Sequence, residues 1–381
     1  LLESLEPRLL LSGETLSFSA TAGASVDLLL QLDDATQQLQ LIDKTDQTIL
    51  KSKALANTTA VEITGADYDD KLTIDLSTPF SLSGGIKFTD AFSGDNDRLT
   101  IVGKDNVWNV TGQNAGNVDN AGIIEFLGIE NLEGGSGNDV FNLDGGVVSG
   151  TIEGGGGNDT LHGPESDTTW NITGDNSGNV AGLDFSGIEN LTGAADNEDT
   201  FVFQDGGSLS GSIDGGVGGY DTLVVDFSAI DHLIYDAYGP DSGVVNADGN
   251  VIEFVGLEPV TVSGTNDLIV NVNSSPEDLT LEVVGGTLRV NGSSIEDITT
   301  NLTVDTVTIN FGSGADSLTI GDVTGFDLNK LTVNGGSGTD TIKITRDANM
   351  TLTDTSLSVG SYTVTLSSIE QAELTGGDSA N

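Results

Sequence analysis

Apolar and polar residues alternate with a period of two in short runs along most of the chain, as in Lys71-Leu-Thr-Ile-Asp-Leu76 and Thr303-Val-Asp-Thr-Val-Thr-Ile309. Runs of this kind, bounded by Gly, Asn and Asp, mark strands with one buried face. The turns between them repeat. A Gly-Gly-x-Gly-x-Asp-x-hydrophobic signature is complete at Gly134–Phe141, Gly154–Leu161 and Gly335–Ile342, and degraded copies keep an Asp two residues before a large apolar side chain. The aspartates in that place are Asp70, Asp97, Asp139, Asp159, Asp199, Asp221, Asp267, Asp316 and Asp340, spaced by 27, 42, 20, 40, 22, 46, 49 and 24 residues. A coil of about 20–25 residues, with the signature lost in some turns, accounts for the short gaps directly and for the long ones as doubled coils.

A longer repeat points the same way. Trp108-Asn-Val-Thr-Gly returns as Trp170-Asn-Ile-Thr-Gly, 62 residues on, and Ile129-Glu-Asn-Leu132 returns as Ile188-Glu-Asn-Leu191, with a fainter copy at Ile369-Glu-Gln-Ala-Glu-Leu374. The predicted fold is all-β: a parallel β-helix (β-solenoid) with rungs of about 20–25 residues stacked about 4.8 Å apart, and a small β-rich cap at its N-terminal end. Residues 1–13 form a Leu-rich segment of different texture. Residues 14–62 carry strands without glycine turns, with hairpin turns after Leu32 and at Asp43-Lys-Thr-Asp46, and read as the cap. The coil would run over 63–381 and continue beyond it. Phe141, Leu161, Phe201, Leu223 and Ile342, each following a turn aspartate, should stack in its core. Trp108 and Trp170 should pack in equivalent turns, and Asn114, Asn117, Asn176 and Asn179 could form side-chain ladders along a corner.

Charge narrows the partners. With 12 basic and 59 acidic residues the net charge is −47, so few cations are available to neutralise the phosphates of nucleic acid or an anionic lipid surface. Self-repulsion at this density calls for counter-ions, and divalent cations are one source of them. There is no cysteine, hence no disulfide or thiolate site, and no apolar run long enough to insert in a membrane.

Two resemblances add to this reading. Leu5-Glu-Pro-Arg-Leu-Leu-Leu-Ser-Gly13 resembles the LEPR-XLL motif found near the start of giant repetitive bacterial surface or secreted proteins. The glycine turns resemble the calcium-binding repeat of RTX-type (hemolysin-type) secreted proteins, in which two stacked turns share a Ca²⁺ through main-chain carbonyls and Asp carboxylates at about 2.3–2.6 Å. In that family the repeats run in tandem, whereas here they stand roughly one per coil. The resemblance implies a first Ca²⁺ site from Gly134, Ser136, Asn138 and Asp139 against Gly154, Gly156, Asn158 and Asp159. It implies a second from Gly312, Gly314 and Asp316 against Gly335, Ser337 and Asp340. It also implies an extracellular or cell-surface location reached through a type I-like secretion system. Without metal, the same aspartates would cap corners by accepting backbone N–H groups.

The function expected from these residues is structural: the rod or stalk of a giant adhesin-like protein, locally stabilised by Ca²⁺, with no catalytic residues. Its partners would be neighbouring repeats of the same chain, surface glycans, or further copies end to end. The first alternative is a subunit of a self-assembling extracellular filament or sheath. A polysaccharide lyase or epimerase on a β-helix is the second. It would rest on Asp231, His232, Tyr235 and Asp236, where carboxylates lie beside phenols, but the chain has little Arg/Lys for an anionic substrate.

Overall fold

The structure, a computed structural model, describes residues 13–90, 94–120, 122–273 and 276–377. Among them the fold is all-β. Apart from two single-turn 3-10 segments, Leu55–Asn57 and Leu328–Lys330, every regular element is a strand. The strands build a large mixed sheet, parallel in part and antiparallel in part, so antiparallel pairing is not confined to the N-terminal cap where it was expected. The chain divides into two compact units, Leu1–Pro164 with Gly182–Ile188, and Glu165–Ala181 with Glu189–Asn381. The Leu5–Gly13 motif lies, but for Gly13, outside the described residues.

In the first unit successive strands go alternately to two stacks. Glu14–Ser19, Thr58–Thr64, Ile86–Thr89 and Gly122–Leu127 pair in parallel in one. Asp27–Asp33, Lys71–Asp75, Arg98–Val102, Asn131–Glu133, Thr151–Glu153 and Leu183–Ser186 pair in parallel in the other. Period-two alternation turns one face of each strand inward. In Asp27–Asp33 the buried residues are Leu28, Leu30 and Leu32. Parallel register then stacks like on like: Leu28, Leu72, Leu99, Leu132, Ile152 and Phe185 stand in one column, each at most 3% exposed. Burial of such a side chain is worth about 1.5–3 kcal/mol, so each added layer brings its own stabilisation.

Antiparallel hairpins interrupt both stacks. Asp27–Asp33, Gln38–Asp43 and Thr48–Ala54 form a meander, as do Val107–Gly112, Ala115–Asn120 and Gly122–Leu127. Glu14–Ser19 and Asp27–Asp33 are also in parallel register with the strands that follow, Thr58–Thr64 and Lys71–Asp75. The second unit repeats the arrangement, with meanders at Thr222–Gly239/Ser242–Ala247/Asn250–Val255, at Asp278–Val284/Thr287–Gly292/Ile298–Asn301 and at Met350–Thr353/Ser356–Val359/Tyr362–Ser367.

These meanders overturn the doubled-coil reading of the long gaps. Consecutive layers are 20 to 27 residues apart where no hairpin intervenes, as at Asp139/Asp159 and Asp70/Asp97, and 30 to 44 apart where one does, as at Asp340/Glu370, Asp97/Glu130 and Val26/Asp70. A long gap is one coil carrying a hairpin, or a passage from one run of turns to the next.

The residues expected in the core are there. Trp108, Phe141 and Leu161 stand in register, as do Trp170, Phe201 and Leu223, and Leu318 over Ile342, all fully buried. Trp108 stacks on Phe141 at 5.4 Å between ring centroids and Trp170 on Phe201 at 5.3 Å.

Candidate functional site

The turn signature has a steric origin. A Cβ on Gly155 (φ +103°) would overlap the carbonyl oxygen of Gly135 in the adjacent layer, and one on Gly157 (φ +137°) would overlap that of Gly137. At the first position, a Cβ on Gly134 would occupy the place of Asp139 Oδ2 and come 2.6 Å from the Gly154 carbonyl oxygen. Glycine is thus needed at the first, second and fourth positions because neighbouring backbones stack too closely for a side chain. The Gly335–Asp340 turn repeats this, with Gly336 against the carbonyl of Gly312 and Gly338 against that of Gly314.

The signature aspartates are buried, and they form ladders. Asp139 N–H donates to Asp159 Oδ1 at 2.7 Å, and Asn106 N–H donates to Asp139 Oδ1 at 2.8 Å. In a second ladder Asp70 N–H donates to Asp97 Oδ1 at 2.7 Å and Asp97 N–H to Glu130 Oε2 at 3.0 Å. Two further ladders run Thr168–Asp199–Asp221 and Glu277–Asp316–Asp340–Glu370. Each carboxylate satisfies a buried donor one layer away, a charge-assisted bond stronger than a neutral one. The short spacings of 27, 20, 22 and 24 residues are steps within these ladders. Asp267 belongs to none of them; it sits within strand Val260–Val272, with its Oδ2 2.9 Å from His232 Nδ1.

Burial opposes charge on the ladder carboxylates. Burial pushes the Asp139 carboxyl up to about 7, against the hydrogen bonds from Asn106, and the charges of Asp159 and Asp105 add to the rise. Burial also takes Asp221 to about 6 and Glu296 to about 8. The second oxygens of Asp97, Asp139, Asp316 and Asp340 are buried with no hydrogen-bond partner among the described residues.

One region is far more crowded. Carboxylate oxygens of Asp70, Asp90 and Asp97 lie within 4.8 Å of one another, and so do those of Asp95, Asp97 and Glu130. These buried acidic clusters could hold a metal ion. Asp70, Asp90, Asp97 and Glu130 are at most 5% exposed. Burial raises the Asp97 carboxyl to about 8, and the charged neighbours acting on it are Asp90, Asp95 and Glu130, all acids. The donor set is all oxygen, which suits a hard divalent cation over a thiolate- or imidazole-seeking one.

The residues expected to bind Ca²⁺ are brought together in adjacent layers. Asn158 N–H donates to Asn138 Oδ1 at 2.9 Å, Gly156 N–H to the Gly135 carbonyl at 2.8 Å and Ser337 N–H to the Gly312 carbonyl at 2.9 Å. Ser313–Gly314 pairs in parallel with Ser337–Gly338, and Ser136 is exposed. Each of these two sites thus offers two carboxylates, with an Oδ1 of Asp139, Asp159, Asp316 and Asp340 already accepting a hydrogen bond.

Asp90, Asp95 and Glu130 were not singled out in the sequence. A usable signal existed for Glu130 in the recurring Ile-Glu: Glu130 and Glu370 both close ladders in this position. Asn114 and Asn176, both at positive φ, hold Glu130 and Glu189 at 2.6 and 2.9 Å. A longer side-chain ladder runs instead through Asp236, Asn271, Asn310 and Asn334. The Asp231–Asp236 group is split by its strand: Tyr235 is fully buried, while the His232 side chain is 67% exposed.

No family model matches the chain, and no curated protein matches it in sequence. Among the described residues no helix is long and apolar enough to cross a membrane.

Proposed function

We propose that the chain is a structural rod segment, a β-solenoid belonging to a large secreted or surface-attached protein, whose work is to hold a fixed length and direction. The observation that carries this reading is the set of carboxylate ladders, in which each layer's turn accepts a backbone N–H of the layer before it. Such a contact is one-dimensional: each layer is specified by its neighbours, and layers can be added without redesigning a core. The hairpins lengthen individual layers without breaking the parallel register on either side of them. Ca²⁺ at buried acidic clusters belongs to the same proposal, as a local reinforcement that a low-calcium interior would withhold.

Small-angle X-ray scattering of the purified chain, with negative-stain images of the same sample, tests the rod. A pair-distance distribution with a long linear tail and particles of constant width are expected. A symmetric, globular distribution would overturn it. Growth in length with protein concentration would favour the filament-forming alternative.

A further inference from the structure

The carboxylates crowded around Asp97 come from three consecutive layers of the first unit. Asp70 precedes strand Lys71–Asp75, Asp90, Asp95 and Asp97 precede Arg98–Val102, and Glu130 precedes Asn131–Glu133, and these strands are paired in parallel register. Two overlapping triads share Asp97, and within each the ligand atoms are no more than 4.8 Å apart. That is the separation of two oxygens on opposite sides of an ion bound at about 2.4 Å.

A second observation is independent of the acids' number. Asp97 is fully buried, and while its Oδ1 accepts the Asp70 N–H, its Oδ2 has no hydrogen-bond partner among the described residues. Both carboxylate oxygens of Asp95 are buried in the same condition. Buried carboxylate oxygens left without a donor are costly, and here several face the same place. Room for them is reserved: a Cβ on Gly65 would run into Asp90 Oδ2 and lie 2.7 Å from Asp70 Oδ2. The guanidinium of Arg98, next to Asp97 in the chain, is turned to Glu133 and Glu153 at 3.2 and 2.7 Å.

We propose that Asp70, Asp90, Asp95, Asp97 and Glu130 form a centre for a hard divalent cation, calcium in preference to magnesium, that ties three layers of the first unit together. Oxygen donors alone, without His or Cys, disfavour zinc. Several carboxylates on a fixed, irregular frame suit the larger and more tolerant Ca²⁺, whereas Mg²⁺ demands a near-ideal octahedron and keeps its waters. The centre is separate from the Asp139/Asp159 and Asp316/Asp340 pairs, and it stands whether or not the whole chain is a rod.

Isothermal titration of the full chain with CaCl₂ after chelator treatment tests it. Asp95→Asn removes a charge from a side chain whose oxygens take no hydrogen bond from the described residues, so the ladder survives. Glu130→Gln is the second variant and keeps an acceptor for the Asp97 N–H. Asp139→Asn, in another ladder, is the control. Saturable binding is expected in the wild type and in Asp139→Asn, weaker by about tenfold or more in Asp95→Asn and in Glu130→Gln, and weaker for MgCl₂ than for CaCl₂ in the wild type. No binding by the wild type, or wild-type affinity in either Asp95→Asn or Glu130→Gln, would overturn the proposal.

Discussion

Two turn regions of the first unit use the same kind of turn differently. At 134–159 the glycine signature is complete and two carboxylates stand in adjacent layers, each accepting a backbone N–H. At 65–130 the signature has decayed and five carboxylates converge around Asp97. Where glycine is retained, backbones stack at closest approach and the aspartate is a hydrogen-bond acceptor. Where the second-position glycine is lost, as at Ala66 and Ser93, additional acids gather beside the ladder. The difference separates two roles that the motif alone confounds: stacking the coil, and holding a cation.

The largest effect should come from breaking the close approach. Gly155→Ala forces a Cβ onto the carbonyl of Gly135 at φ +103°, and a loss on the order of 4 kcal/mol is expected by urea denaturation. The same substitution at Gly156 in the same turn, which has open space around its Cβ and no positive φ, should be close to neutral. Next, Asp139→Ala strips the acceptor from both the Asn106 N–H and Asn106 Nδ2, at 2.8 and 2.7 Å. Asn106 Nδ2 keeps the Lys104 carbonyl at 2.9 Å, so the loss of these two bonds to the carboxylate should cost about 2 kcal/mol, with or without calcium, and Asp139→Asn should recover part of it.

Much of this was legible in the chain. The alternating runs located strands, and the short spacings of the turn aspartates were layer spacings because the turns have nearly constant length. The Asp139/Asp159 and Asp316/Asp340 stacks followed from 20- and 24-residue steps. The hairpins were not legible beyond the first 62 residues, because Ala115–Asn120 carries one large apolar residue, Val118, and nothing in its composition says which way its partner runs. The crowded centre was hidden for a related reason. Asp90 and Asp95 fall outside the signature, and Glu130 reaches the ladder with a longer side chain from a turn that has no glycine pair. Its convergence with Asp70 depends on a layer lengthened to 33 residues by a meander.

Two smaller effects sharpen the contrast. Chelation with EGTA should lower the melting temperature of the full chain by a few degrees, as expected when an ion bound only by the folded state is removed; differential scanning calorimetry reads it. The pH response should carry the opposite signature at the intact turn. The folded Asp139 carboxyl titrates at about 7, above the roughly 3.9 of an unfolded aspartate. The native state therefore binds the proton more tightly between those values, and the stability from this group is lost as pH rises through the folded value. In EGTA, the urea midpoint should fall between pH 5 and pH 8, and Asp139→Asn should flatten that slope.

The most direct measurement compares the two turns in one experiment: urea unfolding of the wild type, Asp95→Asn and Asp139→Asn, each in CaCl₂ and in EGTA. Calcium should stabilise the wild type and Asp139→Asn by similar amounts, although Asp139→Asn starts from a lower midpoint, and should do little for Asp95→Asn. A calcium increment that survives in Asp95→Asn and vanishes in Asp139→Asn would place the cation at the glycine turns and contradict the separation of roles.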